Sequence, residues 1–313
     1  MTTGVAAGAA VRAGATASLA ALLALTAGLP GTVHAASTRY CDAPAPLNAA
    51  QHDKLLRVAA VIKDELHRSG RRAVLIARSG TDLSRFGVRY SHAGVSLLDS
   101  AETPWTVRQL YYACDEDKPR LFDQGLSAFL LGNDEPTLGY VSVLLLPAQR
   151  EQELARAALD KRVALGLLAT TYSANAYAFN LRYQNCNQWV AELLAAAWGA
   201  PADSDEPRAQ AQRWLHEQAY SPSAFDVGWQ LLMWLGNAIP WVHSDDHPPE
   251  DLAQAVYRVS MPASIEAFVQ NREPGAQRLE FCHNAQHIVV HRGWTPVADG
   301  CVPGEGDTVI ALD

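Results

Sequence analysis

The residue best suited to covalent chemistry is Cys186, in the stretch YQNCNQWV at residues 183–190. The segment NQWVAELLAAAW (187–198) that follows predicts a helix beginning at the cysteine. The first backbone N–H groups of a helix have no partner within it and the helix dipole is positive there, so a sulfur at this end is favoured as thiolate. The same N–H groups, with side-chain donors from Asn185 and Gln188, are expected to face an oxyanion formed on a substrate. Taken alone, Cys186 fits a small, inert buried side chain equally well.

A thiolate nucleophile needs a proton acceptor, and His92 is the histidine best placed to be one. It opens the predicted strand YSHAGVSLLD (90–99), where a polar side chain costs burial free energy unless it is paired. A core histidine satisfied by hydrogen bonds is the alternative interpretation of His92. The loop HSDDH (243–247) holds histidines and aspartates, but no complete set of ligands at a familiar spacing. We therefore expect no metal and no cofactor.

The N-terminal segment 1–35 has the features of a signal peptide. It contains one charged residue, Arg12, then an apolar stretch, and it ends with Val33 and Ala35 at the −3 and −1 positions of a cleavage site. An uncleaved anchor is the alternative, but the apolar stretch is shorter than the about 20 residues that a spanning helix needs. We expect a periplasmic or secreted protein with no stable membrane span once the signal is removed.

The five cysteines can be divided into two pairs and one free thiol. In an oxidising compartment an even number of cysteines is expected to pair. Cys282 and Cys301 flank a predicted hairpin and could close it, which leaves Cys41 to pair with Cys114. This scheme is one of several that the sequence allows, and it leaves Cys186 unpaired. The absence of a Cys-x-x-Cys motif argues against disulfide exchange.

The composition is that of a globular protein with no nucleic-acid footprint. The chain has 313 residues, of which 49% are hydrophobic and 19% charged, and its formal net charge is −8. It lacks the basic patch that binding to nucleic acid or to an anionic membrane requires. The Trp-rich segment 225–241 could cover a cleft or belong to the core, and its composition favours the core.

Apolar periodicity predicts the elements that must position the cysteine and the histidine. Helices are expected over 47–70, 149–173, 187–198, 207–219 and 223–236. Strands are expected over 72–80, 90–99, 105–115, 139–147, 255–261, 278–282, 286–292 and 307–312. The local amino-acid composition changes near residue 200. We therefore predict an α+β core over 36–200 and a C-terminal α/β extension over 201–313 packed on it.

The pair YSHAGVSL and NCNQWV resembles the histidine and cysteine motifs of circularly permuted papain-like cysteine enzymes of the NlpC-type superfamily. That group includes the lecithin:retinol acyltransferase-like proteins, and in it the histidine strand precedes the cysteine helix. The segments VRQLYYACDE and EFCHNAQHIVVHRGW are similar to an uncharacterised family of exported bacterial proteins within the superfamily. The resemblance implies a papain-like, circularly permuted core in which an antiparallel sheet packs on the cysteine-bearing helix. It also implies that Cys186 is the nucleophile and His92 the general base.

The resemblance further implies a polar residue, on the strand after the histidine, that orients the imidazole. If the hairpin turns near residues 101–102, His92 lies opposite Tyr111, and period-two alternation puts Gln109 and Tyr111 on the face of the histidine. Gln109 is our prediction, because its amide oxygen can accept the ring N–H. Tyr111 and Asp115 remain candidates.

The expected function is that of an exported cysteine hydrolase, similar to a peptidase or an amidase, that works through a thioester intermediate. Peptides, peptidoglycan or acyl compounds are the substrates that such a site would accept. Two alternatives stay open: an acyltransferase that acts on lipids or esters, and a non-catalytic envelope module that binds or scaffolds while keeping the papain-like fold. The sequence does not predict an oligomeric state.

Overall fold

The computed structural model describes residues 47–114, 116–132, 135–200 and 204–312. The first part contains, in order, α1 (Ala49–Arg68), β1 (Ala73–Arg78), a 3-10 turn (Ser84–Phe86), β2 (His92–Leu97), β3 (Thr106–Ala113), β4 (Lys118–Gln124), α2 (Leu126–Leu130), β5 (Gly139–Leu145), α3 (Ala148–Leu159), α4 (Lys161–Gly166) and α5 (Cys186–Trp198). The second part contains α6 (Pro207–Glu217), β6 (Ser223–Asp226), α7 (Gln230–Gly236), α8 (Pro249–Ala253), β7 (Val256–Val259), α9 (Pro262–Arg272), β8 (Gln277–His283), β9 (His287–Arg292) and β10 (Thr308–Ala311). The predicted signal peptide lies outside the described residues.

A large antiparallel sheet with helices on its faces makes this an α+β protein. Within the described residues its strand order is β10-β9-β8-β5-β1-β2-β3-β4, and β6 pairs with β7 in a separate two-stranded sheet. Every neighbouring pair in the large sheet is antiparallel. The central strands are buried on both faces, which is why they read as near-continuous apolar runs in the sequence.

The two faces of the sheet pack against different helices, as the alternation along β1 shows. Leu75 and Ala77 belong to the cluster that contains the buried face of α5, together with parts of α3, α6 and α9. Val74 and Ile76 point the other way, into the cluster formed with α1 and α2. Since the cysteine is the first residue of α5 and α5 packs on β2 and β3, this layer brings the cysteine end of the helix to the histidine strand.

Two local predictions need correction, and one strand of the large sheet was not predicted. The helix expected over 149–173 is two short helices, because Asp160 adopts an extended conformation and its side chain caps α4. The segment 223–236 begins with strand β6 and only its second half is helical. The sequence also gave no sign of strand β4 (Lys118–Gln124), which has one buried residue and no apolar periodicity.

The sheet continues across the boundary that we expected near residue 200. Strand β8 pairs with β5, with Val141 opposite Phe281, so the last three strands extend the same sheet that carries the histidine. The predicted disulfide between Cys282 and Cys301 is confirmed. The other predicted pair includes Cys41, which lies outside the described residues. No helix in the described ranges is long and apolar enough to cross a membrane.

Candidate active site

The chain encloses a cavity of about 570 Å³, within the range of small-molecule sites. Cys186 and His92 both line it, one from the start of α5 and the other from the start of β2. Other walls come from β3, from the loop after β1, and from the β6–α7 region and β7. Cys186 and His92, the predicted nucleophile and base, are therefore brought to one cavity from elements far apart in the chain.

The local structure around Cys186 follows from the asparagine before it. Asn185 is the N-cap of α5, and its side-chain oxygen accepts a hydrogen bond from the Gln188 N–H at 2.7 Å. The N–H groups of Cys186 and Asn187 lower the pKa of the cysteine thiol. Backbone donors at the positive end of the helix thus favour the thiolate form, the effect expected for a sulfur in this position.

These donors do not make Cys186 a thiolate at rest. Burial raises the pKa of Cys186 to about 12, and this outweighs the opposing effects of the two backbone N–H groups and of the charge on Arg78. Burial thus opposes the thiolate that the helix end favours. The physical reason is that the sulfur is almost entirely removed from water, with 9% of the residue exposed.

His92 is held in one tautomer by Gln109. The His92 Nε2–H donates to the Gln109 side-chain oxygen at 2.8 Å, so Nδ1 carries the lone pair. Tyr111 stacks on the imidazole with 4.6 Å between ring centroids. Burial, followed by the charge of Arg78, lowers the pKa of His92 to about 3, while the hydrogen bond that His92 donates to Gln109 opposes this. The imidazole is therefore neutral and able to accept a proton at Nδ1.

The register of the β2–β3 hairpin explains these contacts. Val95 pairs with Arg108 and Leu97 with Thr106, which confirms a turn centred near residues 101–102. Continuing that register puts Tyr111 opposite His92, and the two-residue alternation brings Gln109 to the same face. Of the remaining candidates for the third position, Asp115 lies outside the described residues.

The amide of Gln109 is itself oriented by a neighbour on β4. Its nitrogen donates to the side-chain oxygen of Gln124 at 2.5 Å, which leaves its own oxygen directed at His92. Gln124 also lines the cavity. Gln124 could not be selected from the sequence, because strand β4 has no apolar periodicity that would place it beside Gln109.

Asn185 and Gln188 do not line the cavity. Asn185 uses its oxygen for the helix cap, and its amide nitrogen donates to the backbone oxygens of Ala174 and Ser260. Gln188 donates to the backbone oxygens of the 177–180 loop. These contacts fix the loop that enters α5, so the donors available to a bound oxyanion are backbone N–H groups. The position of Asn185 directly before a predicted helix is itself a signal for a helix cap, since asparagine is a preferred N-cap residue.

Two further polar residues at the cavity were not selected from the sequence. Asn187 lines it next to the cysteine and donates to the Ser91 backbone oxygen at 3.0 Å, and its own side-chain oxygen is buried without a partner. Arg78, the last residue of β1, is only 5% exposed and also lines the cavity. An arginine that closes an apolar strand gives no signal of burial in the sequence, since arginine is normally exposed.

The Trp-rich segment 225–241 covers one side of the cavity. Phe225, Leu232 and Met233 are among its lining residues. Trp241 is buried, but Trp229 and Trp234 are 71% and 70% exposed. The interpretation of this segment as core is therefore wrong for these two tryptophans: Trp229 is the residue directly before α7 and Trp234 lies within it, and both are exposed.

No hydrogen bond joins the Cys186 sulfur to the His92 ring among the described residues. Both side chains line the same cavity, Nδ1 of the ring is the nitrogen without a proton, and the N–H groups at the start of α5 lower the pKa of the thiol. A thiol and a neutral imidazole at one cavity are two of the groups that acyl transfer to a cysteine needs. Catalytic contacts that are long in an empty site can shorten when a substrate is bound.

Comparison with known proteins identifies the family but no characterised relative. Residues 65–269 match the family described as "Uncharacterized protein conserved in bacteria (DUF2145)", and the chain belongs to this family of bacterial proteins. No curated protein and no solved structure matches the chain. The match includes both Cys186 and His92, together with Gln109.

Proposed function

We propose that this protein is an exported cysteine hydrolase, peptidase-like or amidase-like, with a circularly permuted papain-like core. The observation that carries the proposal is the His92–Gln109 hydrogen bond of 2.8 Å beside a cavity that also contains Cys186. A free cysteine, a base in a fixed tautomer and a residue that orients the base are the three parts of a thiol acyl-transfer site. The order of the elements, with the histidine strand before the cysteine helix, agrees with the permuted arrangement.

The reaction follows from the protonation states at rest. When an acyl group is bound, the Cys186 proton passes to Nδ1 of His92 and the sulfur attacks the acyl carbon. The carbonyl oxygen becomes an oxyanion that accepts hydrogen bonds from the N–H groups of the first turn of α5. As the tetrahedral intermediate collapses, His92 returns the proton to the leaving amine or alcohol and a thioester remains. Water then attacks the thioester, again giving its proton to His92, and the acid and the thiol are released.

A second candidate is supported by the burial of the cysteine. A thiol whose pKa is raised to about 12 is unreactive, and a retained papain-like fold with an inert cysteine would serve as a binding or scaffold module. The two candidates differ in whether Cys186 can be acylated by way of His92.

The test is acylation by p-nitrophenyl acetate, an activated ester that needs no specific binding. We expect release of nitrophenolate and a mass increase of one acetyl group on the peptide that contains Cys186. The label should be absent from Cys186→Ala and form much more slowly in His92→Asn. The matched control is His52→Asn, which changes an exposed histidine on α1.

Two outcomes count against the hydrolase. One is an intact, folded protein that neither carries acetyl on Cys186 nor releases nitrophenolate faster than Cys186→Ala does, which favours the scaffold module. The other is acetylation at the same rate in His92→Asn, which removes the base from the mechanism.

A further inference from the structure

Arg78 is a buried cation with no carboxylate partner among the residues that the structure describes. Three arginines are buried in the described part of the chain: Arg78, Arg208 and Arg278. Arg208 lies 2.9 Å from a carboxylate oxygen of Glu192, and Arg278 lies 2.9 Å from one of Glu280. Arg78 forms no ion pair with any described residue. A buried charge is costly unless it is paired, so this exception requires an explanation.

Neutral groups hold the Arg78 guanidinium in place but do not neutralise it. Nη1 donates to the backbone oxygens of Ser79 and Gly132, and Nη2 donates to the Tyr111 hydroxyl at 2.9 Å. Its Nε–H is buried with no acceptor. The ring of Phe129 lies 5.2 Å from the guanidinium carbon. The position of the charge is therefore fixed by neutral groups, and none of its described hydrogen-bond partners carries a negative charge.

The backbone around the guanidinium is shaped to admit it. A Cβ atom on Gly132 would overlap Nη2, and one on Gly80 would lie 2.8 Å from Nη1. Both glycines line the same cavity as Cys186 and His92. Two positions without side chains thus make room for one cation beside the cavity.

The second arginine among the described lining residues, Arg85, adds another positive charge to the cavity wall. Arg85 lines the cavity, is exposed to solvent, and contacts the ring of Phe86 with its guanidinium carbon 4.3 Å from the centroid. Among the described lining residues none is Asp or Glu, although the whole chain has a net charge of −8. Asp117 accepts a hydrogen bond from the lining residue Tyr112, but Asp117 is exposed and outside the wall. An acidic protein with a cationic cavity selects anionic ligands by charge.

We propose that the substrate carries a carboxylate, which occupies the cavity as the counterion of Arg78 while its acyl carbon lies at Cys186. Arg85 at the solvent side attracts the same anion on entry. This inference rests on the proposed function for the position of the reacting carbon, but the anion site can be tested without the chemistry. Arg78 is then a residue that determines specificity, and the substrate class is that of acyl compounds with a free carboxylate next to the scissile bond.

The first test compares two alkylating reagents that differ in charge. Iodoacetate and iodoacetamide have the same leaving group and nearly the same size, and peptide mapping reports their addition to Cys186. We expect the ratio of the iodoacetate rate to the iodoacetamide rate to fall by about tenfold or more in Arg78→Met, as expected for loss of a nearby charge in a partly buried site. Arg78→Lys should retain part of the preference. Arg57→Met, which removes an exposed charge on α1, is the matched control and should leave the ratio unchanged.

The second test removes the thiol. In Cys186→Ala, hexanoate should raise the melting temperature more than hexanamide does, and the difference should disappear when Arg78→Met is added. If Arg78→Met does not fold, Arg85→Gln at the exposed rim should still reduce both the hexanoate effect and the reagent ratio.

The outcomes separate the two proposals. Equal effects of hexanoate and hexanamide, or a reagent ratio unaffected by the changes at Arg78 and Arg85, overturn the anion site even if Cys186 is catalytic. Preference for hexanoate with no acylation of Cys186 by an activated ester supports the anion site and refutes the hydrolase.

Discussion

Replacing Gln109 by glutamate should convert the neutral site into one that favours an ion pair. The substitution Gln109→Glu keeps the length of the side chain and puts a carboxylate where an amide oxygen now accepts the His92 Nε2–H at 2.8 Å. The added negative charge stabilises the imidazolium and opposes the burial that lowers the pKa of His92 to about 3. The effect can be estimated from the separation of the two charges.

Two unit charges about 4 Å apart, at an effective dielectric constant of about 20, attract by about 4 kcal/mol, which corresponds to about three pKa units. We therefore expect the pKa of His92 to rise from about 3 to about 6 in Gln109→Glu. A base stronger by this amount makes transfer of the Cys186 proton easier. The rate of iodoacetamide labelling of Cys186 at neutral pH should rise by at least about tenfold, allowing for the cost of burying the new carboxylate.

Two measurements check this prediction. NMR titration of the His92 ring gives its pKa directly, and the pH dependence of labelling gives the reactivity of the thiol. Gln109→Met is the matched neutral control: it cannot accept the ring N–H, so labelling should slow by about five- to thirtyfold, the equivalent of one hydrogen bond of about 1–2 kcal/mol. A folded Gln109→Glu protein with an unchanged His92 pKa and an unchanged labelling rate would refute the role of Gln109 as the partner of the base.

Three further predictions concern stability. Because the pKa of His92 is lowered from 6.5 to about 3 in the folded state, the unfolded chain binds a proton first as the pH falls. The contribution of His92 to the free energy of unfolding is complete above pH 6.5 and falls by about 1.4 kcal/mol per pH unit below it. In urea unfolding, the free energy of unfolding of His92→Gln should therefore depend less on pH between 6.5 and 4 than that of the unmodified protein. Replacing both Cys282 and Cys301 by alanine opens a loop with a sequence separation of 19 and should lower the free energy of unfolding by about 3 kcal/mol, measured by the same method. Trp234→Ser, at a side chain that is 70% exposed, should change it by no more than about 0.5 kcal/mol, and a larger loss would show that α7 is packed more tightly than its exposure indicates.

The contact between His92 and Gln109 could be predicted because it depends on local rules. A short hairpin fixes its own register, and the period of two then decides which residues share a face. The same reasoning found the start of α5 from its apolar composition, and disulfide pairing of Cys282 with Cys301 from their position around a hairpin. In each case the determining residues lie close together in the sequence.

The parts that escaped prediction depend on contacts between distant segments. The sequence of β1 does not predict that Arg78 is buried. Two of its hydrogen-bond acceptors are the Gly132 backbone oxygen and the Tyr111 hydroxyl, which belong to later segments of the chain. The pairing of β8 with β5 joins residues separated by more than a hundred positions, so no local sequence pattern predicts this pairing. The raised pKa of Cys186 could not be predicted either, because the sequence indicates the start of the helix but not how deeply the sulfur is buried.

The two proposals are connected by the way burial and charge act on the pair. Both burial and the charge of Arg78 lower the pKa of His92, so the imidazole is a weak base next to an Arg78 that no anion neutralises. With the pKa of Cys186 raised to about 12, about one thiol in 10⁵ is ionised at pH 7, and the thiolate is the form that oxidants and other electrophiles attack. An anionic substrate that neutralises Arg78 removes one of the two effects that weaken His92. Binding of the proposed substrate would therefore strengthen the base when an acyl carbon is beside the sulfur. Until then the free thiol stays protonated and resists electrophiles, as a free cysteine must in the oxidising compartment that we propose for this protein.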